Sequence, residues 1–131
     1  NYYRGKISNS ADSEEIGGET QENVELFGCD LVLAKLSKWS DWDINIMRAI
    51  SQAESGCRED AIGDGHITYY QDGRQYGYSV GSLQVRILPG RELCENDTSS
   101  DGYYECAHNI WLSQGYAAWS VWLNGSYLQY L

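Results

Sequence analysis

The stretch "SDWDINIMRAISQAESGC", residues 40–57, carries the clearest structural signal in the chain. Ser40, Asp41 and Asp43 supply oxygens that cap a helix start, and Gly56 is a typical helix stop. Glu54 follows Ile50 by four residues and Met47 by seven, so it projects from the apolar face at the last turn. On a helical wheel the residues fall on two faces. The apolar face holds Ile46, Met47, Ala49, Ile50 and Ala53, and the polar face holds Asn45, Arg48 and Gln52.

The position of Glu54 raises a chemical question. A carboxylate on an apolar face loses hydration, and this loss favours its neutral form. A carboxylic acid that stays protonated near neutral pH can donate a proton to a leaving group. The alternative is that Glu54 lies so near the helix end that it simply reaches solvent. Periodicity alone does not separate these two interpretations.

Length, charge and composition exclude several classes of protein. The 131 residues correspond to one domain, and the formal net charge of −10 disfavours binding to nucleic acid or anionic lipid. No stretch approaches the roughly 18 apolar residues of a membrane span. The aromatic residues are eleven Tyr, five Trp and one Phe, a choice that suits wet binding grooves. We therefore expect a monomer without a nucleic-acid partner or a membrane span.

Four cysteines in so small a domain indicate disulfides and an oxidising compartment, and hence a secreted, extracellular or cell-envelope protein. They allow three pairings. The pairing between sequence neighbours is preferred, Cys29–Cys57 with Cys94–Cys106. None of them forms the close Cys-x-x-Cys pair that is typical of zinc sites.

The remaining patterns predict an α+β domain. Residues 1–20 are polar, acidic and rich in Gly and Ser, which predicts a flexible arm or linker before a domain over residues 21–131. The predicted elements are a helix over 24–36, a β-hairpin or small three-stranded sheet within 62–87, an acidic loop over 93–105, and a helical region from Cys106 that breaks at Gly115 and resumes before Asn124.

Three motifs then resemble a known family. "AESGC" (53–57), followed after the β-like insertion by "GSLQV" (81–85), resembles the Glu-Ser and Gly-x-x-Gln motifs of lysozyme-like enzymes, including soluble lytic transglycosylases. "ECAHNIWLSQGYAAWSVW" (105–122) resembles the closing segment of animal c-type lysozymes. The motifs occur in the family's order and together cover residues 40–127.

The resemblance implies a lysozyme-like α+β fold, with a cleft between a helical lobe and a small β lobe. It implies that Glu54 is the general acid, that Ser55 is the small polar residue after it, and that Gly81 and Gln84 belong to the cleft. The substrate would be the β-1,4 bond between N-acetylmuramic acid and N-acetylglucosamine in peptidoglycan strands, for which lysozyme is the type case.

This chain departs from the family's pattern at the second carboxylate. In c-type lysozymes an Asp lies two residues before the glycine of Gly-x-x-Gln, and here that position holds Ser79. Asp64 is the preferred replacement because it leads the chain from the helix toward the sheet, whereas Asp72 is expected to be a solvated turn residue. Goose-type lysozymes and lytic transglycosylases also lack that Asp. A muramidase is preferred, and the alternatives are a lytic transglycosylase that gives 1,6-anhydro products and a non-catalytic binding module.

The aromatic residues divide into groove and packing candidates. Transglycosylase domains carry Tyr-Asn-x-Gly near their C-terminal end, and this chain has Leu123 in the Tyr place. Trp119 and Trp122, three apart, are assigned to packing. The candidates for stacking on sugars are Tyr69, Tyr70, Tyr76 and Tyr78.

A weaker motif, "DTSSDG" (97–102), has the opening pattern of a calcium loop. Its candidate ligands are Asp97, Ser99, Asp101 and Glu105. Its twelfth position holds His108 rather than a bidentate Glu, so a plain solvated loop is preferred and calcium is the alternative. No cofactor is expected to be required.

Overall fold

The computed structural model describes residues 25–131, and the arm predicted for residues 1–20 lies outside them. The described chain has a mixed α+β fold. Its helices are α1 (Gly28–Leu36), α2 (Ile44–Ser55), α3 (Asp101–Gln114) and α4 (Ser120–Leu123). Its strands are β1 (Ile62–Gly63), β2 (Tyr69–Gln71), β3 (Arg74–Tyr76), β4 (Ser79–Val80) and β5 (Val85–Arg86). Short 3-10 turns occupy Gly65–Ile67, Glu92–Glu95, Gly115–Ala118 and Ser126–Tyr130.

Helix α2 confirms the prediction for the opening stretch. The Asp43 side chain accepts hydrogen bonds from the backbone N–H groups of Asn45, at 2.9 Å, and Ile46, at 3.3 Å. These bonds satisfy donors that a helix start otherwise leaves without a partner. Gly56 ends the helix in the left-handed conformation, with φ of 66°. Both ends are therefore fixed locally, the first by a capping side chain and the second by the backbone freedom of a glycine.

The β region contains both structures that its pattern allowed. Strands β1, β4 and β5 form a three-stranded antiparallel sheet with β4 in the middle. Strands β2 and β3 form a separate hairpin, whose turn residues Asp72 and Gly73 both have positive φ. Such a pair of positive angles gives the turn twist that suits a two-residue hairpin.

Two predicted boundaries are wrong. Helix α1 begins at Gly28 rather than four residues earlier, and Phe27 before it provides no side-chain cap. The segment 93–105 is not one loop, because α3 already begins at Asp101. The Ser100 hydroxyl oxygen caps this helix by accepting the N–H of Tyr103 at 3.3 Å. The last five residues of the predicted loop, 101–105, therefore belong to α3.

The core joins the helices to the turn between β4 and β5. Tyr103 of α3 is 1% exposed; its hydroxyl donates to Val80 O at 2.8 Å and accepts the Leu83 N–H at 3.0 Å. The neighbouring Tyr104 hydroxyl lies 2.8 Å from Ser82 Oγ. Two tyrosines of one helix thus hold the 81–84 turn in place. That turn lies against the end of α2.

Both predicted disulfides are present. Cys29–Cys57 joins the first turn of α1 to the second residue after α2, and Cys94–Cys106 joins the 3-10 turn Glu92–Glu95 to α3. Each can stabilise the fold by about 3 kcal/mol in the loop-entropy description. Two disulfides in a domain of this size are typical of secreted proteins. Among the described residues, no helix has the length and apolar content to cross a membrane.

Candidate active site

A cavity of about 280 Å³ lies beside the last turn of α2. Several elements that are distant in sequence converge on it, because the tyrosines of α3 fix the 81–84 turn against α2. The lining residues are Glu54 of α2, Asp64 after β1, Ser79 of β4, Gln84, the two residues of β5 (Val85 and Arg86), Arg91, Ile110 of α3, and the C-terminal residues Ala118, Trp119 and Ser120.

Glu54 is a shielded acid in this cavity. Burial is the main cause that raises its pKa from 4.5 to about 7, and the negative charge of Asp64 adds to the effect. A carboxyl group with this pKa is divided between its protonated and ionised forms at neutral pH. It can therefore donate a proton and later accept one without a large free-energy penalty in either direction.

Asp64 and Ser79 form a hydrogen-bonded pair that also lines the cavity. The Ser79 hydroxyl donates to Asp64 Oδ2 at 2.5 Å, and Ser79 itself is 1% exposed. Asp64 has a φ of 60°, a left-handed conformation that Asp tolerates better than most residues. Ser79 stands at the sequence position where c-type lysozymes have an Asp. The structure places the Asp64 carboxylate against this serine. Asp72, the other candidate, is exposed in the β2–β3 turn and does not line the cavity.

The 81–84 turn contributes Gln84 to the cavity, whereas Gly81 serves packing. Gln84 Nε2 donates to Gly81 O at 3.0 Å and to Ala61 O at 3.2 Å, which fixes its side chain. A Cβ at Gly81 would lie 2.3 Å from the Tyr103 ring, and φ there is +82°. The glycine is required by this close approach, and it does not line the cavity as the sequence prediction assumed.

Ser55 lies directly after Glu54 but is not among the residues that line the cavity. Its hydroxyl donates to Ser82 O at 2.7 Å and accepts the Arg58 N–H at 3.1 Å. The side chain therefore joins the end of α2 to the 81–84 turn. Its role in substrate binding stays a prediction.

The predicted sugar-stacking tyrosines lie away from this cavity. Tyr76 is 7% exposed and its hydroxyl donates to Glu92, so its ring is unavailable to a ligand. Tyr78 donates to Glu95 at 2.6 Å. Tyr70, which is 74% exposed, and Tyr69 lie on the β2–β3 hairpin.

Sequence reasoning missed several residues of the cavity. Trp119 was assigned to packing, and it is 3% exposed with its Nε1 donating to Leu83 O at 2.8 Å, yet it also lines the cavity. Trp122 stacks on Tyr127 at 4.8 Å, as a packing residue does.

Arg86 and Arg91 are not among the residues that the sequence predicts for the site. Their signal in the sequence is two basic residues close to the Gly-x-x-Gln motif in an otherwise acidic chain.

The four candidate calcium ligands lie in the loop before α3 and in its first turns, and Asp97 and Asp101 contact other side chains. Asp97 accepts hydrogen bonds from Ser99 N and Ser99 Oγ, and Asp101 lies 3.4 Å from Lys38 Nζ. Glu105 is exposed on α3. In the part of the chain that the structure describes, no group of three or more His, Cys, Asp or Glu side chains is arranged to hold a metal ion. The calcium alternative stays a prediction.

Comparison of the chain with protein-family models and with curated proteins finds no match. Its function therefore has to be inferred from the residues of the cavity and from the motifs that they carry.

Proposed function

We propose that this protein cleaves the β-1,4 bond between N-acetylmuramic acid and N-acetylglucosamine in peptidoglycan, outside the cell or in the cell envelope. The observation that carries the proposal is Glu54, a shielded carboxyl with a pKa of about 7, which shares a cavity with the carboxylate of Asp64. The α+β arrangement and the order of the Glu-Ser and Gly-x-x-Gln motifs support a lysozyme-like fold around this pair.

In the proposed reaction Glu54 first acts as an acid. Its protonated form donates to the glycosidic oxygen while the bond from that oxygen to the anomeric carbon breaks. The positive charge that develops on the sugar ring is stabilised by the Asp64 carboxylate, which Ser79 holds by a hydrogen bond. The ionised Glu54 then takes a proton from the water that attacks the anomeric carbon. The pKa of about 7 suits both steps.

The test is clearing of purified cell walls by the wild type and by Glu54→Gln. Removing a general acid lowers the rate by about 100-fold or more, so the variant should be nearly inactive. Glu25→Gln is the matched control, because this exposed glutamate lies outside the cavity. Equal clearing by wild type and Glu54→Gln would reject the catalytic role. Binding without clearing by the wild type would favour a non-catalytic module.

Product analysis separates hydrolysis from transglycosylation. We expect reducing ends, because a carboxylate that stabilises the sugar cation leaves Glu54 free to activate water. Mass spectrometry distinguishes these from 1,6-anhydro ends, which are lighter by one water molecule. Anhydro ends would assign the protein to the lytic transglycosylases and would leave the role of Glu54 unchanged.

A further inference from the structure

Two arginines share the cavity with the carboxyl groups. Arg86 belongs to β5 and is exposed at the cavity mouth, and Arg91 lies before the 3-10 turn Glu92–Glu95 and is half-buried. The chain has only nine Lys and Arg against nineteen Asp and Glu. A pair of basic side chains at one cavity is therefore unexpected from composition, and the proposed acid–base chemistry does not use it.

The guanidinium groups retain unused hydrogen-bond donors. Arg86 Nε donates to Gly77 O at 3.1 Å, and Arg91 donates once, to Arg86 O at 3.2 Å. Within residues 25–131, neither arginine has a carboxylate oxygen within 4.0 Å, whereas Arg74 pairs with Glu95 at 2.8 Å. Burial and the neighbouring charge of Arg86 lower the pKa of Arg91. An anion between the two would offset this unfavourable proximity.

A larger groove adjoins the cavity at this point. It has a volume of about 710 Å³, runs along α3, and shares Arg91 and Ile110 with the cavity. The amide side chains of Asn96, Asn109 and Gln114 line it. A substituent on a sugar in the cavity can therefore continue past Arg91 into a groove with donors and acceptors that suit peptide bonds.

We propose that Arg86 and Arg91 bind a carboxylate of the lactyl–peptide substituent on muramic acid, and that the groove along α3 receives the peptide. This inference rests on the proposed function and names the part of peptidoglycan that the site selects. Guanidinium groups match the planar, two-oxygen geometry of a carboxylate. N-acetylglucosamine carries no such group, so the pair distinguishes peptidoglycan from chitin. The carboxylate comes from the lactyl group in bare glycan and from the peptide where the lactyl group is amidated.

The test measures binding of defined glycans to the Glu54→Gln protein, which does not cleave them. The ligands are a GlcNAc tetrasaccharide, a GlcNAc–MurNAc tetrasaccharide with free lactyl carboxylates, its lactyl methylamide, and its tetrapeptide-bearing form. We expect a carboxylate-bearing ligand to bind about tenfold more tightly than the methylamide. This preference should disappear in Arg86→Gln, in Arg91→Gln and in the double variant. The matched control is Arg58→Gln, an exposed arginine outside both cavities.

The outcomes separate the inference from the function on which it rests. Preference for the free lactyl form or for the peptide form supports the inference and identifies the source of the carboxylate. The inference is overturned if the Glu54→Gln protein and both single arginine variants prefer carboxylate-bearing glycans equally. It is also overturned if the Glu54→Gln protein shows no such preference. Parent binding of all four glycans with equal affinity, together with clearing of cell walls by the wild type, overturns the arginine subsite alone. Absence of binding to every glycan overturns both.

Discussion

The raised pKa of Glu54 gives the proposed activity a predictable dependence on pH. In the proposed reaction the protonated form of Glu54 acts first, so kcat/KM should fall as pH rises through about 7. Asp64→Asn removes the charge that contributes to the raised pKa, and it should move this falling limb to lower pH as well as reduce the rate. The dependence of kcat/KM on pH is measured with a soluble oligosaccharide, because the charge of a cell wall itself changes with pH. If kcat/KM fell at the same pH in Asp64→Asn as in the wild type, the coupling between the two carboxyl groups would be contradicted.

The same raised pKa predicts a stability effect. Because the folded pKa of about 7 lies above the ordinary 4.5, the folded protein holds this proton more tightly than the unfolded chain. The contribution of Glu54 is therefore fully present below pH 4.5 and is lost as pH rises through about 7. Glu54→Gln should raise the free energy of unfolding at pH 8 by up to about 3 kcal/mol relative to its effect at pH 4. Urea denaturation at the two pH values measures this difference, and a pH-independent effect would contradict the burial of the group.

At the scale of elements, the 81–84 turn depends on a glycine for a steric reason that can be isolated. Gly81→Ala combines a positive φ with a Cβ placed 2.3 Å from the Tyr103 ring. Gly73→Ala shares the positive φ, but a Cβ there meets nothing within 4 Å. We expect Gly73→Ala to lower the unfolding free energy by about 1 kcal/mol and Gly81→Ala by about 3 kcal/mol or more. Equal losses in urea denaturation would show that the contact with Tyr103 does not constrain the turn.

The helices differ in how far their ends could be predicted, for local reasons. Helix α2 could be predicted to both ends because Asp43 and Gly56 act on residues within one turn of themselves. The start of α3 could not, since its cap Ser100 lies in a polar run whose composition also fits a loop. Helix α1 does not extend back through Gly28, because φ there is +53°, outside the right-handed helical region.

At the scale of the whole molecule, the site combines predictable and unpredictable contacts. Glu54 and Gln84 could be placed together because their motifs occur in a recognisable order, and Asp64 could be added because it leads the chain from the helix toward the sheet. Arg86 and Arg91 stand out as basic residues close to the Gly-x-x-Gln motif in an acidic chain, but their meeting at one cavity depends on how the chain returns after β5, which the sequence does not indicate. Tyr76 and Tyr78 were assigned to the groove, but the 3-10 turn Glu92–Glu95 packs near them and binds their hydroxyls. Such contacts between residues distant in the sequence decide which side chains of a short strand remain available to a ligand.

The overall charge of the protein predicts an unusual response to salt. With a formal net charge of −10, the molecule is repelled by anionic cell walls over distances of about 30 Å at 10 mM ionic strength and about 10 Å at 100 mM. Cell-wall clearing should therefore become faster between these salt concentrations, because screening removes the long-range repulsion. The control is cleavage of the lactyl methylamide of the GlcNAc–MurNAc tetrasaccharide, which is uncharged and contains the bond of the proposed reaction, and its rate should change little. Clearing that slows over this range, while the control stays constant, would mean that local attraction at Arg86 and Arg91 outweighs the net charge.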